Sequence, residues 1–429
     1  MQNTVKQYKA ILAKRNALSH AMGVLSYDSE TAMPKNGAPH MAETMAILSE
    51  ESYKLQVNDE VRALLEKLNA NSESLDEITR REVEEELKQL KKLENVPIEE
   101  YAAYSRLISE ASVKWREAKQ TNDYPLFKPY LERIIAAQRS LMAHMYPGKD
   151  TYDALLEEFS EGLSVEMLDP FFANVKAKLV PVIHAVCEAG NQADDSLLHR
   201  PFPIEGQRKL SSFVMDFLGI DRDSCVIGEV EHPFTTEFNK HDVRLTTHYH
   251  EDDVLSNMFS VAHEGGHCLY ELNMGDELIG SPLSGGATMT LHESQSRLFE
   301  NMICRSREFI ALLYPKMKEI FPEQMQGVSE KMLYRAANKS MPSLIRTEAD
   351  ELTYPLHIMV RYEIEKKLIA GTLSVDELPA EWNRLYKRGR AGRYARRFAG
   401  QPLVGRHDRL FPVLLRGQRV FRADISQHL

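Results

Sequence analysis

The sequence has few of the features that direct a protein to a membrane or to an oxidising compartment. Its N-terminal segment, MQNTVKQYKAILAKRNALSH, is charged throughout and has no apolar core of the signal-peptide type. No segment approaches the ~20 consecutive apolar residues of a membrane-spanning helix. The chain of 429 residues has four widely spaced cysteines and no Cys-x-x-Cys pair: Cys187, Cys225, Cys268 and Cys304. We interpret them as free thiols and predict a cytoplasmic protein without a membrane partner.

Positive charge is also in short supply. The chain has 53 Lys and Arg against 63 Asp and Glu, which gives a formal net charge of −10. Binding to nucleic acid requires a surplus of basic groups, so no nucleic-acid partner is expected. The hydrophobic content of 43% and charged content of 27% are typical of a globular protein.

Strand-forming patterns are rare, and the fold is predicted to be mainly α. Apolar residues follow a helical stripe over residues 74–95, where Ser74 and Glu77 have the spacing of a capping box. The best strand candidates are residues 234–238 and 243–248, joined by Asn239-Lys240. These runs predict a small β-sheet just ahead of the next helix.

That next helix contains the stretch SVAHEGGHCLYE, residues 260–271. His263 and His267 are spaced i and i+4, which places both imidazoles on one helix face. With Glu264 they form an H-E-x-x-H motif, which supplies two zinc ligands and a general base. Zinc lowers the pKa of a bound water to roughly 7, and a neighbouring carboxylate can take its proton. A chance match is the alternative, but the apolar flanks of the helix favour the functional interpretation.

A catalytic zinc needs a third protein ligand and an open position. Glu293, on a second predicted helix, is modestly favoured by its spacing. The alternatives are Glu300, His292, Glu271 and Glu277. The apolar residues expected to face inward from this helix are Leu291, Leu298 and Met302. Cys268 would close the site as a fourth ligand, so we predict that it packs in the core.

Several motifs occur in a fixed order along the chain. They are SYDSETAMP at 26–34, HPF at 232–234, DVRLTT at 242–247, HEGGH at 263–267, HESQS at 292–296 and IRTEADE at 345–351. In this order they resemble the carboxypeptidase Taq family of zinc metallocarboxypeptidases. The resemblance covers residues 1–387, which we treat as one helical domain.

The resemblance implies a specific site and activity. The zinc ligands would be His263, His267 and Glu293, with Glu264 as the general base. The fold would be a large helical gluzincin-type peptidase with a deep central groove and a small sheet next to the active-site helix. A homodimer would release single C-terminal residues from peptides with broad specificity, using zinc or, as a substitute, cobalt. The rival hypotheses are a zinc oligopeptidase or dipeptidase, and an impaired chain that only binds metal.

Recognition of a peptide's terminal carboxylate suits an arginine fork. Arg346 is the first candidate and Arg244 the second. For either residue the alternative is an internal ion pair, with the acidic partners Glu348, Glu351 or Asp242.

The adjacent glycines of the motif are unusual, because each costs about 1 kcal/mol relative to alanine inside a helix. We expect Gly265 and Gly266 to allow close approach of another backbone or of the substrate, with Gly265 next to the bound peptide. The DVRLTT segment is the strand whose edge the substrate is expected to pair with.

Lys and Glu are missing from the C-terminal segment. Residues 388–429 contain ten Arg and two Asp but no Lys and no Glu. The family's further motif, of the form Gly-x-x-Gln-Asp-x-His-Trp, does not occur there. We expect this Arg-rich tail to arise from a shifted reading frame.

Overall fold

The computed structural model describes residues 1–189, 192–230, 232–285, 288–343, 346 and 349–389. The Arg-rich tail beyond residue 389 and Glu348 lie outside the described residues. The mainly α prediction is confirmed, with a small sheet inserted before the tenth helix. The elements are α1 Gln2–Thr31, α2 Ala38–Gln56, α3 Asp59–Asn69, α4 Glu77–Leu93, α5 Ile98–Thr121, α6 Tyr124–Met145, α7 Thr151–Phe159, α8 Val165–Glu188, α9 Ile204–Phe217, β1 Cys225–Glu229, β2 Thr235–Asn239, β3 Asp242–Thr247, α10 Val254–Leu272, α11 Met289–Arg297, a π-helical segment Leu298–Ile303, α12 Arg307–Ile320, α13 Glu330–Ala337, α14 Tyr354–Ala370 and α15 Leu378–Gly389.

The fourth helix starts later than the capping-box prediction placed it. Asp76 is its N-cap, and the Asp76 Oδ1 atom accepts the backbone N–H of Thr79 at 2.9 Å. Ser74 instead ends a 3₁₀ turn, so the expected Ser74–Glu77 capping box is wrong. A carboxylate at the N-cap satisfies an orphan N–H and complements the helix dipole.

In the part of the chain that the structure describes, apolar side chains form two large clusters and one smaller cluster. One large cluster joins α5, α6, α7 and α14 around residues such as Phe127 and Tyr362. The other surrounds α10 and includes side chains from α9, α12 and the sheet, among them Val214, Val261 and Leu313. This second core fixes the position of the helix that carries the H-E-x-x-H motif, because burial of its apolar face opposes any rotation.

The sheet has the strand order β1-β3-β2. β3 runs antiparallel to β2, with Thr236 opposite Arg244, and parallel to β1, with Val226 opposite Arg244. The two predicted strands are therefore present, whereas β1 was not predicted. Since both edges of β3 are already paired, the expectation that a substrate pairs with the DVRLTT strand is wrong.

Candidate metal centre

Helix α10 presents the two motif histidines from one face. Asp253 caps its N-terminus by accepting the N–H of Ser256 at 3.2 Å. The imidazole rings of His263 and His267 lie with their centroids 5.0 Å apart. Both side chains are mostly buried, with exposed fractions of 14% and 12%. The i, i+4 spacing thus gives the paired arrangement expected from the sequence.

The two glycines of α10 allow two different close contacts. A Cβ atom on Gly266 would lie 2.6 Å from the Cα of Ser296 and 2.7 Å from the carbonyl oxygen of Gln295, both in α11. A Cβ atom on Gly265 would lie 2.5 Å from Leu218 Cδ1. The backbone that approaches α10 at Gly266 is thus α11 and not the DVRLTT strand. This face of Gly265 packs in the core against Leu218 instead of facing a substrate.

Helix α11 turns its polar side toward α10, contrary to the sequence prediction. The predicted inward residues are exposed: Leu291 by 49%, Leu298 by 37% and Met302 by 73%. The buried residues are His292, Glu293 and Ser296. The prediction failed because it assumed that the buried face of a helix is apolar, whereas this face carries groups that are paired with α10.

Glu293 brings its carboxylate between the two motif imidazoles. Its Oε1 atom lies 3.4 Å from His263 Nε2, and its Oε2 atom lies 3.1 Å from His267 Nε2. The side chain is 1% exposed. Burial alone would raise the pKa of Glu293, but the neighbouring His263, His267 and Arg297 side chains hold it far below its ordinary value. The three residues predicted as ligands are therefore brought together.

Glu300 supports the first histidine from the π-helical segment. Its Oε2 atom accepts from His263 Nδ1 at 2.8 Å and from Arg297 Nη1 at 2.9 Å. Arg297 also donates through Nε to Glu293 Oε1 at 3.1 Å, and thus links the two carboxylates. Burial opposes ionisation of Glu300, but Arg297 and His263 outweigh it and lower its pKa to about 2. A π-helical turn is common at functional sites, and here it places Glu300 behind a ligand.

A second support lies behind the other histidine. His267 Nδ1 is 2.6 Å from His292 Nδ1, and His292 Nε2 is 2.7 Å from Glu271 Oε1. His292 and Glu271 were alternatives for the third ligand, but neither belongs to the group whose ligand atoms converge. Burial lowers the pKa of His267 despite the opposing effect of Glu293, which favours the neutral imidazole that a metal requires.

Glu264 lies buried beside the two histidines and is 6% exposed. Thr235 of strand β2 donates its hydroxyl to Glu264 Oε2 at 2.7 Å. The sequence did not predict a role for Thr235, although it directly follows the HPF motif. The small sheet thus holds the carboxylate that was predicted to act as the base.

The residues present fit a divalent cation. Among the described residues, His263, His267 and Glu293 are the one group of at least three His, Cys, Asp or Glu side chains with ligand atoms that converge, all within 4.8 Å of one another. Glu293 Oε2 is buried and has no hydrogen-bond donor. Each imidazole has its Nδ1 engaged, which directs its Nε2 toward the carboxylate. Two histidines and a glutamate suit zinc and leave a coordination position open.

Cys268 lies next to His267 in sequence but belongs to the core. It is fully buried, and its Sγ atom lies 3.2 Å from Cys225 Sγ on strand β1. It faces the sheet and is not part of the converging metal-binding group.

The two predicted carboxylate-binding arginines have different surroundings. Arg244 forms a two-pronged ion pair with Asp242, at 2.9 Å through both Nε and Nη2, and stacks 4.6 Å from the Phe238 ring. The internal ion pair considered as its alternative therefore exists. Arg346 donates to the hydroxyl of Tyr354 at 2.7 Å. The guanidinium of Arg297 lies 4.1 Å from the same Tyr354 ring, which places Arg346 near the metal centre.

On a helical fold, two histidines and a glutamate that converge beside a buried glutamate are typical of a metallopeptidase. The chain belongs to the Carboxypeptidase Taq (M32) metallopeptidase family, whose sequence model matches residues 7–389. Members of this family are carboxypeptidases, so the chain is a peptide hydrolase of that class, and the family requires a metal ion.

Related proteins match most of the chain. Carboxypeptidase 1 of Bacillus subtilis is 39% identical over 382 residues, which cover 89% of this chain and 76% of that protein. Thermostable carboxypeptidase 1 of Pyrococcus furiosus is 33% identical over 382 residues, which also cover 89% of this chain and 76% of that protein. The crystal structure of the M32 carboxypeptidase from Deinococcus radiodurans R1 superposes with a TM-score of 0.83 at 32% identity, covering 90% of this chain and 78% of that one. Among the described residues, no helix is both long and apolar enough to cross a membrane.

Proposed function

We propose that this chain is a zinc-dependent metallocarboxypeptidase that removes single residues from the C-termini of peptides with broad specificity. The observation that carries the proposal is the convergence of His263, His267 and Glu293, with Glu264 buried beside them. Cobalt is the expected substitute for zinc. We also propose that the protein is a homodimer in the cytoplasm. Residues 1–387 of each subunit would form a single domain.

The chemistry divides between the metal and the protein. A bound zinc ion would polarise the scissile carbonyl and lower the pKa of water at the site. Glu264 takes a proton from the attacking water and passes it to the leaving amine. The hydrogen bond from Thr235 holds the Glu264 carboxylate in one orientation, which keeps the base in place between these two steps.

To cleave at the C-terminus of a peptide substrate, the protein needs a group that binds the terminal carboxylate of that peptide. Arg346 is the favoured residue, because its neighbour Tyr354 also contacts Arg297 of the metal centre. Arg244 is less suited, since its Nε and Nη2 donors are already held by Asp242.

The test is to incubate the zinc-loaded protein with a mid-length peptide and follow the products by mass spectrometry. We expect a ladder of peptides shortened one residue at a time from the C-terminus. Glu264→Gln should lower kcat by about 10²- to 10⁴-fold while zinc stays bound. Release of internal fragments would select an oligopeptidase, release of residue pairs a dipeptidase, and an intact peptide with zinc bound would select an impaired chain.

The oligomeric state, the reading frame of the tail and the metal requirement each have a separate test. Light scattering of the purified chain distinguishes a dimer from a monomer. Resequencing of the gene around codon 388 tests the shifted reading frame proposed for the Arg-rich tail, and an uninterrupted frame would refute it. Removal of metal by a chelator should abolish hydrolysis, and added zinc or cobalt should restore it.

A further inference from the structure

Two buried residues form a hydrogen-bonded chain behind His267 without belonging to the group that converges on the metal position. His292 is 8% exposed and Glu271 is 3% exposed. Glu271 follows His267 by four residues on the same face of α10, whereas His292 is supplied by α11, one residue before Glu293. A buried imidazole and a buried carboxylate are costly to desolvate, so their pairing calls for a physical explanation.

We propose that His292 and Glu271 are positioning residues that fix the tautomer and orientation of His267 for metal binding. The inference rests on the proposed metal site, but it concerns residues outside the ligand set. It assigns to the first residue of the HESQS motif a role different from that of the second, Glu293.

The proton positions follow from the donors and acceptors present. An ionised carboxylate only accepts, so the 2.7 Å contact requires that His292 Nε2 carries a proton and donates it to Glu271. When the His292 ring carries this proton alone, its Nδ1 is an acceptor. The 2.6 Å contact is filled by a proton on His267 Nδ1, which leaves the Nε2 lone pair of His267 free. That lone pair faces Glu293.

The two ligand histidines are thus supported in different ways. His263 donates directly to a carboxylate, Glu300, at 2.8 Å. His267 reaches a carboxylate only through the intervening His292 ring. Loss of His292 would therefore leave the His267 Nδ1–H and the Glu271 carboxylate buried without the partners they have here, and His267 could adopt the other tautomer.

The experiment measures zinc affinity, which is independent of turnover. Zinc dissociation constants would be obtained by competition with a chromophoric chelator for wild type, His292→Ala and Glu271→Gln. We expect about 10- to 100-fold weaker binding for His292→Ala. Glu271→Gln keeps an oxygen acceptor without the charge, so a smaller loss of about 3- to 10-fold is expected. His40→Ala, at an exposed position of α2, is the matched control and should bind zinc as wild type does.

A second measurement separates positioning from a merely structural role. The visible ligand-field absorption of the cobalt-substituted protein should change in His292→Ala, because the orientation of a ligand changes, while the melting temperature of the metal-free protein is little affected. A variant that folds and binds zinc with wild-type affinity would overturn the proposal. So would an unchanged cobalt spectrum accompanied by a parallel loss of metal-free stability.

Two outcomes keep the inference distinct from the proposed function. If His292→Ala does not fold, the isosteric Glu271→Gln decides, and an unaltered dissociation constant there overturns the proposal. If wild type binds zinc but cleaves no peptide, the proposed activity fails, and the affinities of the variants still decide the role of His292 and Glu271.

Discussion

Gly266 of helix α10 lies directly against Ser296 of helix α11, so closely that a Cβ atom on the glycine would be 2.6 Å from the Ser296 Cα. This backbone-to-backbone contact sets the distance at which α11 presents Glu293 to the two histidines of α10. At Gly265 the nearest atom to an added Cβ is the end of a leucine side chain, Leu218 Cδ1 at 2.5 Å. The two neighbouring glycines therefore differ in what a methyl group would displace.

We expect Gly266→Ala to displace α11 and to weaken zinc binding by at least about tenfold, because a backbone cannot yield without moving Glu293. Gly265→Ala is the matched variant: a leucine terminus can rotate, and alanine gains about 1 kcal/mol of helix propensity. Zinc affinity and thermal stability of both variants would be measured side by side. Equal zinc affinities in the two variants would show that the contact with Ser296 does not position the site.

The hydroxyl of Thr235 gives a second prediction. It donates to Glu264 Oε2 at 2.7 Å, and Thr235→Val removes the donor while keeping the shape of the side chain. We expect kcat to fall about tenfold, with zinc affinity unchanged, because the hydroxyl contacts Glu264, the residue that handles the proton, through both its carboxylate and its backbone carbonyl. Thr235→Ser restores the hydroxyl and should recover most of the activity. A drop in KM alone, or failure of serine to rescue, would contradict this role.

Much of this site was predictable, and the failures have a common cause. The H-E-x-x-H helix and the β2–β3 hairpin follow from local spacing, which the sequence displays directly. The orientation of α11 does not, because hydrophobic periodicity assigns Leu291 and Met302 to the core when the buried face actually carries His292 and Glu293. Strand β1 pairs in parallel with β3, which is not the next strand in the chain, and no tight turn joins the two.

The residues that support the two motif histidines could not be assigned from the sequence for a related reason. Glu300 and His292 acquire their roles only after α11 and the π-helical segment dock on α10. That docking depends on Gly266, which was expected to allow close approach of another backbone or of the substrate, but the sequence did not identify that backbone as α11. A spacing pattern identifies which residues can share a helix face, but it does not tell which second helix that face will meet.

The depressed pKa of Glu300 predicts how the metal-free protein responds to acid. Its pKa in the folded state is about 2, against 4.5 for an unperturbed glutamate, because Arg297 and His263 outweigh burial. A carboxyl group whose pKa is lowered by folding stabilises the fold fully above its unfolded pKa. That contribution is lost as the pH falls from about 4.5 toward 2.

We therefore expect the free energy of unfolding of the metal-free protein to decrease over this pH range, with a contribution on the order of 1–3 kcal/mol from Glu300. Urea unfolding at a series of pH values would measure the slope. Glu300→Gln should flatten the slope and lower stability at neutral pH, whereas Glu319→Gln, at a position with 67% side-chain exposure, should not alter the curve. An identical slope in Glu300→Gln and wild type would rule out this contribution.

The two candidate arginines can be separated by the chemistry of the substrate end. A guanidinium that binds the terminal carboxylate contributes to affinity only when that carboxylate is present. Arg346→Ala should therefore raise KM by about 10- to 100-fold for peptides with a free C-terminus and leave the weak binding of amidated peptides unchanged. Arg346→Lys should recover only part of this, because an ammonium lacks the two-pronged geometry.

Arg244→Ala provides the comparison. Its Nε and Nη2 donors are held by Asp242 and its guanidinium stacks on Phe238, so the variant should lose stability with little change in KM for free-ended peptides. Steady-state kinetics on a matched pair of free and amidated peptides would measure both effects. If the KM increase follows Arg244 instead of Arg346, then the ion pair with Asp242 must open on substrate binding and the order of the two candidates is reversed. If Arg346→Ala impairs free and amidated peptides equally, Arg346 supports the metal centre through Tyr354 and does not bind the chain end.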